Sequence, residues 1–256
     1  MSVSSTCLAV TLLALLAPLG VVRAESRALD RIRADGQLRI ATSPGIAPMV
    51  FLQNDELVGF DVDFGNRLAE RLGLEPRWQI SRTHNELTTG IRTGEYSNQA
   101  DIVISAMGIN LERTQQSLAV PYFRSGLAIL VSRKNAMVAT LDDLAGLRVA
   151  AVAGSTEYRI VQQPGTVMVV EVQSYGECVE RVLQGRADAA VLDLPGALFA
   201  EKRNPDRLIV APKPFEEEWY GVYMKKENKG LFLEIRRAVR SLRNDGVLDE
   251  LYRKWF

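Results

Sequence analysis

Apolar residues along this chain follow two alternating spacings. Gln37–Thr42 (QLRIAT) and Leu74–Ile80 read as strands, and Asp101–Ala106 is a short β-branched apolar run of the kind that fills a covered strand. Between them the period lengthens. Phe60, Phe64, Leu68 and Leu72 recur every four residues after Gly59 and stop at Gly73, which predicts a helix. A second helix starts near Asn85, carries Leu87 and Ile91 on one face and ends at Gly94. Before both, Ser43–Met49 forms a loop stiffened by two prolines and a glycine. Strand, helix, strand, helix, strand predicts a mainly parallel sheet flanked by helices, with a ligand site in the loops at the strand ends.

The same order then begins again. Phe123–Arg133 is extended, Leu141–Gly146 is a short helical turn, and Arg148–Ala153 is a strand. Gly154-Ser155-Thr156 opens a helix through Tyr158 and Val161, Val167–Val172 is a strand, and Ser174–Gln184 is a helix closed by Gly185. Ala187–Leu192, Pro195–Arg203 and Arg207–Val210 read as strand, helix and strand. A second lobe is the economical reading. Trp219–Lys225 is extended, and two amphipathic helices close the chain, marked by Leu231, Ile235, Val239 and Leu242 and by Leu248, Leu251 and Trp255.

Composition narrows the partners. Lys plus Arg equals Asp plus Glu at 31 each, which gives no support to nucleic acid or an anionic membrane and fits a small neutral or zwitterionic ligand. Residues 1–24 read as a secretory signal, with an apolar core from Leu8 to Leu19 and Val22-Arg23-Ala24 before a cut at Glu25. Cys7 stands at the start of that core, unlike an acylated lipoprotein cysteine, so an exported soluble protein is expected. Cleavage leaves Cys178 as the single cysteine and His84 as the single histidine. An internal disulfide, a Cys/His metal site and a Cys–His nucleophile are therefore not expected, nor is any cofactor.

The chemistry begins in Asp101–Gly126. The apolar strand there ends at Ser105 and Ala106, Gly108-Ile109-Asn110 turns the chain, and Asn110 is placed to cap a helix whose first turn holds Arg113. A guanidinium has a planar fork that holds a carboxylate by two parallel hydrogen bonds and keeps its charge when water is expelled. The plainer alternative is a surface arginine paired with Glu112 or solvent.

LRIAT at 38, LVGFDVDFGNRLAERLGL at 57, ADIVISAMGINLER at 100, PYFRSG at 121, LDDLAGLRVAAVAGST at 141, GRADAAVLD at 185 and RNDGVLDELYRKWF at 243 follow one another in an order and spacing that covers nearly all of the chain after the leader. Together they resemble the extracytoplasmic solute-binding proteins of polar amino-acid ABC transporters, of family 3 type. The resemblance implies a two-lobe α/β type II periplasmic binding fold with two hinge strands, near Arg124–Ala128 and Trp219–Val222. Lobe 1 would comprise 25–124 completed by 221–256, and lobe 2 would comprise 125–220. It also implies a periplasmic, non-catalytic monomer that closes over a ligand and presents it to a membrane-embedded permease. Carried over residue by residue, Arg113 would take the ligand α-carboxylate with Thr156, and Asp193 would receive the α-ammonium. Ser155, Ser105, Gly108, His84 and Ile46 fall at neighbouring ligand-binding positions. For Asp193, Ser155 and Thr156 a helix cap is the alternative.

The sequence departs from the pattern at several of these positions. Gly108 stands where a Ser or Thr hydroxyl is usual, Ser43 and Ile46 where an acid and an aromatic are common, and His84 where an aromatic stacks on the ligand. A basic ligand side chain is thus left without an evident partner. Gly94–Asp101 is longer than usual by a surface excursion. Two other functions share the fold. One is a secreted cyclohexadienyl dehydratase, similar in the INLER run and in ESR…LDRI, although Glu157 lies one position from where its catalytic acid is expected and Tyr158 stands there. The other is a ligand sensor without transport.

Overall fold

The computed structural model describes residues 28–95, 100–163 and 165–256. The leader expected at residues 1–24 and most of the excursion after Gly94 lie outside the described residues.

Helix α1 (28–35) leads into β1 (Gln37–Thr42). A hairpin follows, β2 (Phe51–Gln53) and β3 (Glu56–Val58), turned by Asn54 and Asp55 with φ of 52° and 64°. The hairpin was not anticipated, although a polar pair at left-handed φ is its usual turn. Helix α2 (Phe60–Arg71) buries Phe60, Phe64 and Leu68, each worth about 1.5–3 kcal/mol on leaving water. Gly59 precedes it at φ 133°, where a Cβ would lie 2.2 Å from the Met49 carbonyl oxygen. Only glycine lets the Met49 loop pack there. Then come β4 (Glu75–Ile80), α3 (His84–Thr93), β5 (Ile102–Val103) and the short α4 (Leu111–Thr114).

Strand β6 (Ser117–Ser132) is longer than the sequence indicates. Pro121 hides its first half, because a proline inside a strand ordinarily breaks the ladder. Here it sits at an irregularity in the pairing with β11, where its missing donor costs little. The second half of the chain runs β7 (Arg148–Val152), α5 (Thr156–Gln162), β8 (Met168–Val172), α6 (Tyr175–Leu183), β9 (Ala189–Asp193), α7 (Leu194–Arg203), β10 (Leu208–Val210) and β11 (Phe215–Lys225). Helices α8 (Lys229–Asn244) and α9 (Val247–Trp255) end it.

Among the described residues the strands form a nine-stranded sheet in the order β4-β1-β5-β11-β6-β9-β7-β8, with β10 also paired to β6, plus the separate hairpin. β4, β1 and β5 are mutually parallel and build a first lobe; β8, β7 and β9 are mutually parallel and build a second. Between them run β6 and β11, antiparallel to each other. β6 pairs with β11 from Ser117 to Leu127 and with β9 from Leu127 to Val131, so one strand belongs to both lobes. This is the α/β two-lobe architecture with two hinge strands that the sequence anticipates.

The strand expected over Asp101–Ala106 is cut short for a physical reason. Beyond Val103 the backbone turns, Ala106 adopts φ 46°, and its N–H donates to the buried Asp61 carboxylate at 2.6 Å. Helices α8 and α9 pack on α2, with Phe256 6.2 Å from Phe60 and both Lys254 and Trp255 donating to Asp63 at 2.7 Å. The C-terminal helices therefore pack beside the strands of the N-terminal half, against α2. No helix among the described residues is long and apolar enough to cross a membrane.

Candidate functional site

Arg113 is set by local chemistry. The Asn110 side chain caps α4 by accepting the Arg113 backbone N–H at 2.9 Å, and the turn directs the Arg113 side chain inward, 4% exposed. Its Nη1 donates to the Gly108 carbonyl at 2.7 Å, and the Tyr223 hydroxyl donates to that same oxygen at 2.6 Å. The guanidinium is thereby anchored at one corner while the rest of its fork faces a cavity.

That cavity lies between the lobes and is nearly filled by its own walls, with a volume of about 10 Å³. His84, Ala106, Met107, Gly108 and Arg113 line it from the first lobe; Thr156, Glu157, Tyr175 and Asp193 from the second; and Glu218 from β11. Asp193 ends β9, is 2% exposed and makes no helix-capping hydrogen bond; its Oδ2 is buried without a partner. Burial, and then the Glu218 carboxylate beside it, push its carboxyl far above the ordinary range. Glu157 accepts a hydrogen bond from the Tyr175 hydroxyl at 2.9 Å, and burial together with Asp193 raises it to about 7. Glu218 is raised to about 7 chiefly by burial, and its Oε1 is also unpartnered.

His84 is 4% exposed on α3, its ring edge-on to Tyr175 of the opposite lobe at 5.6 Å between centroids. Burial first and Arg113 second hold its pKa down to about 3, so the imidazole is neutral. The lobes touch elsewhere too. A Cβ on Gly154, at φ 76° in the second lobe, would lie 2.5 Å from Asn85 Oδ1 and 2.9 Å from Thr88 Oγ1 in the first.

Five of the residues anticipated from sequence, Arg113, Gly108, His84, Thr156 and Asp193, thus meet in one cavity. Three do not line it. Ser155 caps α5, accepting the Tyr158 N–H at 3.1 Å. The Ser105 hydroxyl is taken up by the Ser43 backbone, accepting its N–H at 3.0 Å and donating to its carbonyl at 3.2 Å. Ile46 lines an adjoining apolar pocket with Tyr175, Val179 and Phe199. Tyr175 and Glu218 were not anticipated. No short-range signal marked Glu218, since the segment read as extended began at Trp219; in the structure Glu217 pairs with Arg124 at 2.7 Å and Glu218 lines the cavity.

A sequence profile of the bacterial extracellular solute-binding proteins, family 3, matches residues 38–256. The chain belongs to that family. The L-cystine-binding protein TcyJ of Escherichia coli (strain K12) is 29% identical over 239 residues, covering 91% of this chain and 87% of that protein. The glutamine-binding protein GlnH of an ABC transporter in Bacillus subtilis (strain 168) is 29% identical over 205 residues, 78% and 73% of the two chains. Among solved structures, the P235GK mutant of ArgBP from T. maritima superposes with a TM-score of 0.82 at 32% identity, covering 90% of this chain and 99% of that one. AncCDT-1, an ancestral amino-acid-binding protein described as a precursor of cyclohexadienyl dehydratase, gives 0.81 at 29% identity over 89% and 99%. These four relatives, each matching most of this family-3 chain, are binding proteins, and the fold is theirs.

Proposed function

We propose that this family-3 protein captures a small amino acid or related zwitterion between its lobes and delivers it to a membrane-embedded ABC permease. It acts as a monomer in the periplasm once the leader at 1–24 has been removed, and it has no catalytic residue and needs no cofactor. Lobe 1 spans 25–124 and 221–256, lobe 2 spans 125–220, and the hinge lies where β6 and β11 cross between them. One observation carries the reading: buried Arg113 and buried Asp193 line the same narrow cleft from opposite lobes. A zwitterion bridges such a pair, its carboxylate on the Arg113 fork with Thr156 and its ammonium on Asp193. Binding then draws the lobes together. Asp193 has an unpartnered oxygen ready for that ammonium, and Gly108 and His84 shape the wall beside it.

A thermal-shift screen of the common amino acids tests this. A ligand at a hundredfold excess over Kd stabilises by about 2.7 kcal/mol, and the shift is expected to disappear in Arg113→Ala. A flat response to every amino acid would refute it.

One observation favours a second reading. Glu157 is a buried acid that holds its proton near neutral pH and faces the same cavity, as an acid that protonates a leaving hydroxyl would. Turnover of prephenate or arogenate, abolished in Glu157→Gln, would establish the dehydratase; binding without turnover supports the carrier.

A further inference from the structure

Asp61 stands outside the cleft and holds one of its walls. It is fully buried on the first turn of α2, does not line the cleft, and bonds through both oxygens to groups beyond its own helix. Oδ1 accepts the Tyr122 hydroxyl at 2.7 Å, and Oδ2 accepts the Ala106 backbone N–H at 2.6 Å. A carboxyl group withdrawn from water needs such donors, and the second of them belongs to the turn that leads to Arg113.

Ala106 is where the chain leaves the line of β5. Its φ of 46° lies in the left-handed region, which a residue with a Cβ keeps only when its surroundings hold it there. The wall of the cleft starts at this residue. Ala106, Met107 and Gly108 all line the cleft, and the Gly108 carbonyl anchors the Arg113 guanidinium at 2.7 Å. On its far side the segment is tied to β11: the Gly221 N–H donates to the Met107 carbonyl at 3.0 Å and the Ile109 N–H to the Trp219 carbonyl at 2.7 Å. On its near side the Ile104 N–H donates to the Ala41 carbonyl at 3.1 Å, and the bond to Asp61 then fixes the turn itself.

We propose that Asp61 is a positioning residue for ligand binding: by gripping the Ala106 N–H it maintains the strained turn that sets the Gly108 carbonyl and, through it, aims Arg113 at the ligand carboxylate. The inference rests on the reading of Arg113 as the carboxylate anchor. Without the Asp61 bond Ala106 returns to negative φ, which redirects the peptide units that follow and loosens the anchored corner of the guanidinium. Tyr122 has a different part. Its ring already lies flat on Phe64, with 4.5 Å between centroids and 8° between planes, so its hydroxyl stabilises the buried carboxyl without touching the turn.

Isothermal titration of the full mature protein with the common amino acids, each variant being compared on the one that wild type binds most tightly, tests the idea. Tyr122→Phe is expected to melt lower yet keep its affinity within about threefold, because the Ala106 bond survives. Asp61→Ala/Tyr122→Phe removes both polar partners together and is expected to bind at least about tenfold more weakly than Tyr122→Phe. Should it fail to fold, Asp61→Leu/Tyr122→Phe, which fills the vacated space, takes its place. Adding Ala106→Gly, which takes a left-handed backbone without strain, should recover at least about threefold of the loss. Asp61→Asn offers an oxygen to the Ala106 N–H and an amide NH2 to the Tyr122 oxygen, and should stay within about threefold of wild type. Equal affinity in Tyr122→Phe and the double variant, or a loss that Ala106→Gly leaves unchanged, would overturn the positioning role while leaving the amino-acid reading intact. If wild type binds none of the amino acids, that reading falls and this inference with it.

Discussion

The Arg159 guanidinium on α5 donates to the Glu112 carboxylate on α4, joining the second lobe to the first beside the candidate ligand arginine. Glu112 also accepts from Arg92 on α3 at 3.2 Å, so it sits in a small network at the lip of the cleft. The Arg159 pair can form only when the lobes approach. Both side chains are about 40% exposed, so water and salt screen the bond and its worth is modest, about 0.2–1 kcal/mol. Arg159→Ala is expected to raise the ligand dissociation rate by no more than about fivefold, and the difference from wild type should fade in high salt. Stopped-flow release measured at two ionic strengths checks both parts.

Gly154 makes a stronger demand on closure. An alanine there meets Asn85 and Thr88 of the other lobe, whereas Gly185, at a similar φ of 69°, has open space around its missing Cβ. Both Gly154→Ala and Gly185→Ala bear a left-handed backbone cost on the order of 1–2 kcal/mol in stability. Only Gly154→Ala should lose affinity, by about tenfold or more, and adding Asn85→Ala should recover part of it. Equal affinity in the two single variants would mean that the lobes close without this contact.

Arg113→Lys separates charge from shape. Lysine keeps the cation but gives up the planar fork and the anchored corner on the Gly108 carbonyl. Affinity for an α-amino acid is expected to fall about ten- to a hundredfold in the lysine variant. In Arg113→Ala the loss should be larger, about 2–5 kcal/mol, because the ligand carboxylate is then buried unpaired. Isothermal titration of both variants measures the difference.

Acidity should stabilise the empty protein. Asp61, Glu157 and Glu218 are raised from ordinary values of 3.8, 4.5 and 4.5 to about 7, so between those limits the folded chain binds more protons than the unfolded one. Stability from these groups is full at low pH and lost as pH rises through about 7. His84 opposes them. Its pKa falls from 6.5 to about 3, so its contribution is present above the unfolded value and lost as pH falls toward the folded one. Three carboxyls outweigh one imidazole, and the ligand-free melting temperature should be higher at about pH 5 than at about pH 7.5. Glu157→Gln should flatten the slope by on the order of 1–2 kcal/mol over that interval. A melting temperature that climbs steadily toward pH 8 would contradict the assignment.

Features fixed by neighbours in sequence were legible without the structure. The four-residue period of Phe60, Phe64 and Leu68, the cap from Asn110 to Arg113, and the left-handed stops at Gly94 and Gly185 depend on a few consecutive residues. The meeting of Arg113 with Asp193 could be read only through family resemblance, since the 79 residues between them carry no local signal of it. Glu218 escaped because the inward face of β11 is decided by its register against β6, including irregularities on both sides of the hinge. The setting of Ser105 was hidden for the same kind of reason: only the juxtaposition of β1 and β5 reveals that its hydroxyl bonds to the Ser43 backbone.

The docking of α8 and α9 on α2 joins residues almost two hundred positions apart, as in the bond from Trp255 to Asp63. A polypeptide emerging from the ribosome amino end first therefore cannot finish packing α2 until the last helices have appeared. Until then the faces of Phe60 and Phe123, later covered by Tyr252 and Phe256, stay open to chaperones. Such late completion postpones the burial of that aromatic face until nearly the whole chain has been made.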